Sequence, residues 1–221
     1  MKQVFLAWMI FIAAGIICLC LKVQNEPCLP AISELPNCRL RSAGYQSPVA
    51  DKGLMQVLAL VEVGRIADGR ELLNQFTMQH PKLSSEDQLF SDALAQTIQC
   101  LLPTPSSPTV IMPQAIFSRL NLNQNYCLRR TIVVALLRQE QNLAAVEQAA
   151  CLDAALDHEL PPDSKAKRDA QYLLAYALAR SGQMNLSRSF CRPGLEAAQK
   201  AGDTSEIELW KQLNIYLDSH Q

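Results

Sequence analysis

Histidine, glycine and aromatic residues are scarce in this sequence and neither sign of charge predominates, and each shortage removes a class of function. Three histidines in 221 residues, with no C-x-x-C pair among the cysteines, cannot assemble a zinc finger. His80, His158 and His220 each fall near a predicted helix end or the chain terminus, where a solvated histidine is ordinary, and no Ser-His-Asp or Cys-His arrangement is recognisable. Eight glycines form no glycine-rich phosphate loop. Lys and Arg number 20 against 21 Asp and Glu, a formal net charge of −1, so no large field exists to attract nucleic acid or an anionic membrane surface. The sequence therefore predicts no enzyme, no cofactor, no bound metal, no nucleic-acid partner and no small-molecule substrate.

What remains is apolar and helix-forming. Hydrophobic residues make up 49% of the chain and aromatics 6%, and Leu, Ala and Gln dominate, a composition that favours helices packed on helices. The one long hydrophobic run lies at the start: residues 4–21, VFLAWMIFIAAGIICLCL, carry no charge and are flanked by Lys2 and Lys22. At about 1.5 Å per residue the run nearly spans a bilayer core of about 30 Å. Residues 1–22 are thus a membrane anchor or a signal segment. Retention is the expectation, because no small-residue cleavage motif follows and Cys18 and Cys20 are preceded by Ile17 and Leu19 rather than by the small residue an acylated cysteine would want.

Six cysteines lie beyond that run: Cys28, Cys38, Cys100, Cys127, Cys151 and Cys191. Beside a membrane-targeting segment an even number suits an oxidising compartment and permits three bridges, whereas small buried thiols are the plain alternative. A Cys28–Cys38 bridge would stiffen residues 23–50, a stretch rich in proline that reads as a spacer.

From about residue 51 to the end, periodicity predicts an all-α domain of antiparallel helical hairpins, either a repeat array or a bundle. Leu54, Val57, Leu58 and Val61 fall at i, i+3, i+4 and i+7 before Gly64. A second helix, capped by Asp68, carries Leu72, Leu73 and Phe76 until Pro81. A third spans residues 85–102, with Leu89, Phe90, Ala93, Leu94 and Ile98 on its face. Residues 103–113 hold four prolines and form a loop or sub-boundary. A short helix near 114–120 precedes a long one at 124–138, which turns at 139–142 into a helix ending at Pro161. Asp163 or Ser164 caps the next, whose Leu173, Leu174, Ala177 and Leu178 face inward until Gly182. Helices at 185–200, kinked or shortened by Pro193, and at 203–217 complete the domain.

Hairpins turning at Gly64, Glu140 and Gly182, the last two 42 residues apart, suggest a repeat. The first presents Val57 and Leu60 before Gly64, then Gly69, Leu73, Phe76 and Pro81; the second Ile132, Val133 and Leu136, then Ala145, Ala149 and Leu152; the third Leu174, Ala175 and Leu178, then Ser187 and Cys191. These residues resemble tetratricopeptide units over residues 51–200, although Glu140 stands where the family has a turn glycine, no unit carries the large aromatic near its start, and the gaps exceed the usual 34 residues. The resemblance implies a right-handed array whose concave face is lined by the first helix of each hairpin. That face would receive Arg130, Val134 and Arg138, Tyr172, Tyr176 and Arg180, with Leu54, Leu58 and Glu62 from the first hairpin, and would bind a partner protein through Tyr and Arg. It also implies that second helices lie side by side, placing Cys151 opposite Cys191 for a bridge; Cys100 and Cys127 are further disulfide candidates whose connectivity the sequence leaves open. Asp153 and Asp157 beside Cys151 and His158 read as a solvated acidic face rather than metal ligands, and Lys165, Lys167 and Arg168 as a wet basic one.

The expected function is a scaffold or assembly factor of an envelope machine such as a secretion system or pilus. It is anchored by one pass in the inner membrane with its domain in the periplasm. The alternative is a secreted or lumenal helical domain, disulfide-stabilised, whose signal is removed.

Overall fold

The computed structural model describes residues 29–32, 48–102, 114–157, 159–161 and 163–220. The apolar run at 4–21, Cys28, Cys38, the proline-rich 103–113 and His158 lie outside them. Among the described residues every regular element is helical: α1 (Pro48–Glu62), α2 (Ile66–Gln79), α3 (Ser85–Leu101), α4 (Gln114–Phe117), α5 (Leu122–Arg138), α6 (Asn142–Asp157), α7 (Lys165–Arg180), α8 (Met184–Ala201) and α9 (Thr204–Ser219). None of these helices is long and apolar enough to cross a membrane.

Three hairpins form at the expected turns, and one backbone device closes all of them. Gly64, Glu140 and Gly182 have φ of 83°, 60° and 81°. At each, the amide of the left-handed residue bonds the carbonyl three residues back, and the next amide reaches five back: Arg65 to Leu60, Gln141 to Leu136, Gln183 to Leu178. This Schellman pattern satisfies carbonyls that the helix end leaves without partners. Gly202, at φ 69°, ends α8 in the same way. Glu140 alone adopts the conformation with a side chain, at a steric cost of roughly 1–2 kcal/mol. Glu140→Gly is therefore expected to raise the unfolding free energy by about 1 kcal/mol, read as a higher urea midpoint with an unchanged slope.

Successive helices from α5 to α9 pack on one another, and α1, α5, α7 and α9 also make direct contacts in series, as one layer of first helices. Small residues let each second helix cross close. A Cβ on Gly69 would stand 3.1 Å from Val61. Ala145 is fully buried, and the buried Ser187 hydroxyl donates to the Ala175 carbonyl at 2.7 Å. The core runs continuously from Leu54, Val57 and Phe90 through Ile132, Leu152 and Leu173 to Trp210 and Leu213.

Several boundaries differ from expectation. α2 starts at Ile66, where Arg65 supplies no side-chain cap; Asp68 lies in the first turn, ion-paired to Arg65 at 2.6 Å. α5 starts at Leu122 because Asn121 and Gln124 form a capping box. Pro193 sits inside a continuous eighteen-residue α8 without shortening it. Ser84, Ser164 and Asp203 cap α3, α7 and α9 through their side chains.

Candidate functional site on the layer of first helices

The polar groups that bind the first helices together come from positions where a helix carries a charge on its apolar side. Arg130 of α5 lies among Leu128, Ile132, Val133 and Val134, all buried, and is itself 1% exposed. A guanidinium so desolvated requires carboxylates. Its Nη1 donates to Glu62 Oε1 of α1 at 2.7 Å and its Nε to Asp169 Oδ2 of α7 at 3.0 Å. The hydroxyls of Thr131 and Tyr126 donate to the same two carboxylates, at 3.0 and 2.6 Å. One buried network thereby joins three hairpins.

A second set joins α7 to α9. Arg168 Nε donates to Glu206 Oε2 at 2.7 Å, and Lys165 reaches Asp203 at 2.7 Å. Asp203 also accepts from the Ser205 hydroxyl and the Glu206 amide. Lys165 foremost, with these donors, holds the Asp203 carboxyl well below the usual carboxylate range. A depressed folded value contributes stability above the unfolded pKa of about 3.9 and loses it as pH falls below that. Asp203→Asn is accordingly expected to be less stable than the parent at pH 7, and the two melting curves should draw together as pH falls below about 4.

Lys167 and Arg168 are not the wet basic face that was expected, for both are buried. Lys167 Nζ lies 2.6 Å from both Asp153 and Asp157 of α6. Burial works against its charge, and the two carboxylates outweigh burial, so its pKa is raised. Asp153, half-buried, and Asp157, which stays exposed as expected, thus also tie α6 to α7.

The six residues expected to line an open face are placed differently. Val134, Tyr172 and Tyr176 are buried with Arg130, while Arg138 and Arg180 are half-buried. Arg130 is engaged by its carboxylates. Tyr172 stands edge-on to Trp210 at 4.9 Å between centroids, and its hydroxyl lies 3.5 Å from the Leu209 carbonyl, because α9 covers that side of α7. Tyr176 is covered by the chain's own residues 29–32. Its hydroxyl donates to the Pro30 carbonyl at 2.7 Å; Pro30 is buried, and Leu29 and Ile32 lie half-buried against the core. A signal for the first of these placements existed, since an arginine within a continuous apolar stretch calls for a buried partner. None existed for the last, whose two partners are 146 residues apart.

The Cys151–Cys191 bridge is not formed. Cys191 is a free, buried thiol whose S–H donates to the Ser187 carbonyl at 3.7 Å, and burial pushes its pKa up to about 11. The physical reason is topological: α6 and α8 both pack on α7 and make no extensive contact with each other, so the helices lying side by side are the first ones. Cys100 is also a free thiol. No protein-family model, curated protein or solved structure matches the chain.

Proposed function

We propose that this chain is a membrane-anchored, tetratricopeptide-like scaffold that binds a partner protein, with residues 4–21 as a retained single-pass anchor in the inner membrane and the helical domain in the periplasm. It serves there as an assembly factor of an envelope machine such as a secretion system or pilus. The observation that carries this reading is the docking of residues 29–32 on α7, where the layer of first helices holds a peptide stretch through a tyrosine hydroxyl and apolar contacts. That is how helical-repeat surfaces engage partners, with a firm helical face meeting a short segment. The glycine or glutamate turns, the small residues at the hairpin crossings and the serial contacts of α1, α5, α7 and α9 support the tetratricopeptide-like part.

The test is capture from detergent-solubilised membranes after mild crosslinking, with the N-terminus of the captured chain sequenced. The proposal expects a membrane-fraction chain that starts before residue 18 and carries a reproducible protein partner. A chain beginning after Cys18 in the soluble fraction, or a solitary chain after crosslinking, overturns it.

A further inference from the structure

We propose that the Tyr176 seat is a recognition site for a proline-containing apolar segment of a protein partner, and that residues 29–32 fill it in the partner's place. The inference deepens the scaffold reading and rests on it. Leu29, Pro30, Ala31 and Ile32 show the chemistry that the seat selects. The buried position is a proline, which brings no N–H and so buries no donor in need of a partner. Its carbonyl accepts a hydrogen bond from the Tyr176 hydroxyl. Leu29 and Ile32, three residues apart, both lie against the core while Ala31 is exposed. A ligand for the seat therefore reads apolar, Pro, any, apolar, and needs no charge.

The seat is firm and the occupant is lightly held, which is what an exchangeable ligand requires. Tyr176 stands on α7, which Asp169 and Arg168 fix to α5 and α9 through buried ion pairs. The docked stretch offers one buried proline, two half-buried side chains and the Tyr176 bond, a small contact of the kind that opens well below the cost of global unfolding. Being part of the same chain, it competes at an effective concentration on the order of millimolar, so an external segment must bind more tightly than the resident or wait for its release.

The test uses the full-length chain in detergent micelles and a fluorescent peptide of residues 27–34 carrying Cys28→Ser. The double variant Leu29→Asp, Ile32→Asp empties the seat and is expected to bind the peptide at least about tenfold more tightly than the parent chain. Adding Tyr176→Phe to that variant should weaken binding about fivefold, the loss of roughly one hydrogen bond, with an unchanged melting curve. Equal binding by parent and double variant, or indifference to Tyr176→Phe, overturns the proposal. Should the double variant fail to fold, limited proteolysis decides instead: Tyr176→Phe in the otherwise unaltered chain should speed cleavage within residues 29–32 several-fold, and unaltered rates overturn it. If a membrane partner is captured equally by parent, double variant and Tyr176→Phe, the seat fails while the scaffold stands. If the peptide results hold and no partner is captured, the scaffold fails while the seat stands.

Discussion

Arg130→Ala is expected to lower the unfolding free energy by about 3–5 kcal/mol. The arginine side chain is 2% exposed and neutralises two carboxylates, Glu62 and Asp169, which it draws in from α1 and α7. Removing it leaves both buried anions without their cation, and water cannot easily replace a guanidinium among Leu128, Ile132 and Val133. Domains of this kind hold only about 5–15 kcal/mol in total, so the variant should sit near the edge of folding at 37 °C. The triple change Glu62→Leu, Arg130→Met, Asp169→Leu should recover part of the loss, because no bare charge remains. Recovery will be incomplete, since the hydroxyls of Thr131 and Tyr126 then lose their acceptors. Urea unfolding of the three proteins checks this, and an Arg130→Ala midpoint close to the parent's would sink it.

Gly194→Ala should cost about 3 kcal/mol although helix propensity alone favours alanine there by roughly 0.5–1 kcal/mol. The sign is decided by Trp210. A Cβ on Gly194 would stand 2.3 Å from the indole Cζ2 and 2.4 Å from Cε2. The indole is 1% exposed and braced edge-on by Tyr172, so it has nowhere to swing. Either α8 and α9 separate or the ring leaves its rotamer, and both lose close packing. Melting temperature and tryptophan emission measure the two consequences. An alanine variant as stable as the parent, with the parent's emission, would refute the contact. Trp210→Ala combined with Gly194→Ala should cost less than the sum of the two single changes, because the pair shares one contact.

Helix positions and turns were legible because their causes are local. Gly64, Glu140 and Gly182 could be assigned as turns from the apolar stretches that they interrupt, and all three adopt positive φ. Ser164 and Asp203 announce α7 and α9 through side chains that reach amides three residues on. The candidate site was legible only as a helix face. Tyr172, Tyr176 and Arg180 share a side of α7, and periodicity can say so; it cannot say that α9 and residues 29–32 lie across that side. The partners of Arg130 are 39 and 68 residues away, and nothing in the spacing of charges along the chain pairs them. The same blindness made Lys167 look solvated. For the cysteines the error lay one level higher, in assuming which layer of helices comes together.

The docked stretch at 29–32 also fixes a length. If residues 4–21 lie in a bilayer, as proposed, the eight residues from Leu21 to Leu29 can hold the helical domain at most about 27 Å from the membrane surface. Without that docking the limit is set by the 27 residues from Leu21 to Pro48, whose maximal span is about 90 Å. A domain leashed at the shorter value would meet only what stands close to the lipid, whereas at the longer limit it could sweep a hemisphere about 37 times larger by volume, as the cube of a roughly 3.3-fold radius. Occupancy of a single tyrosine would then govern how far from its own membrane this protein can search.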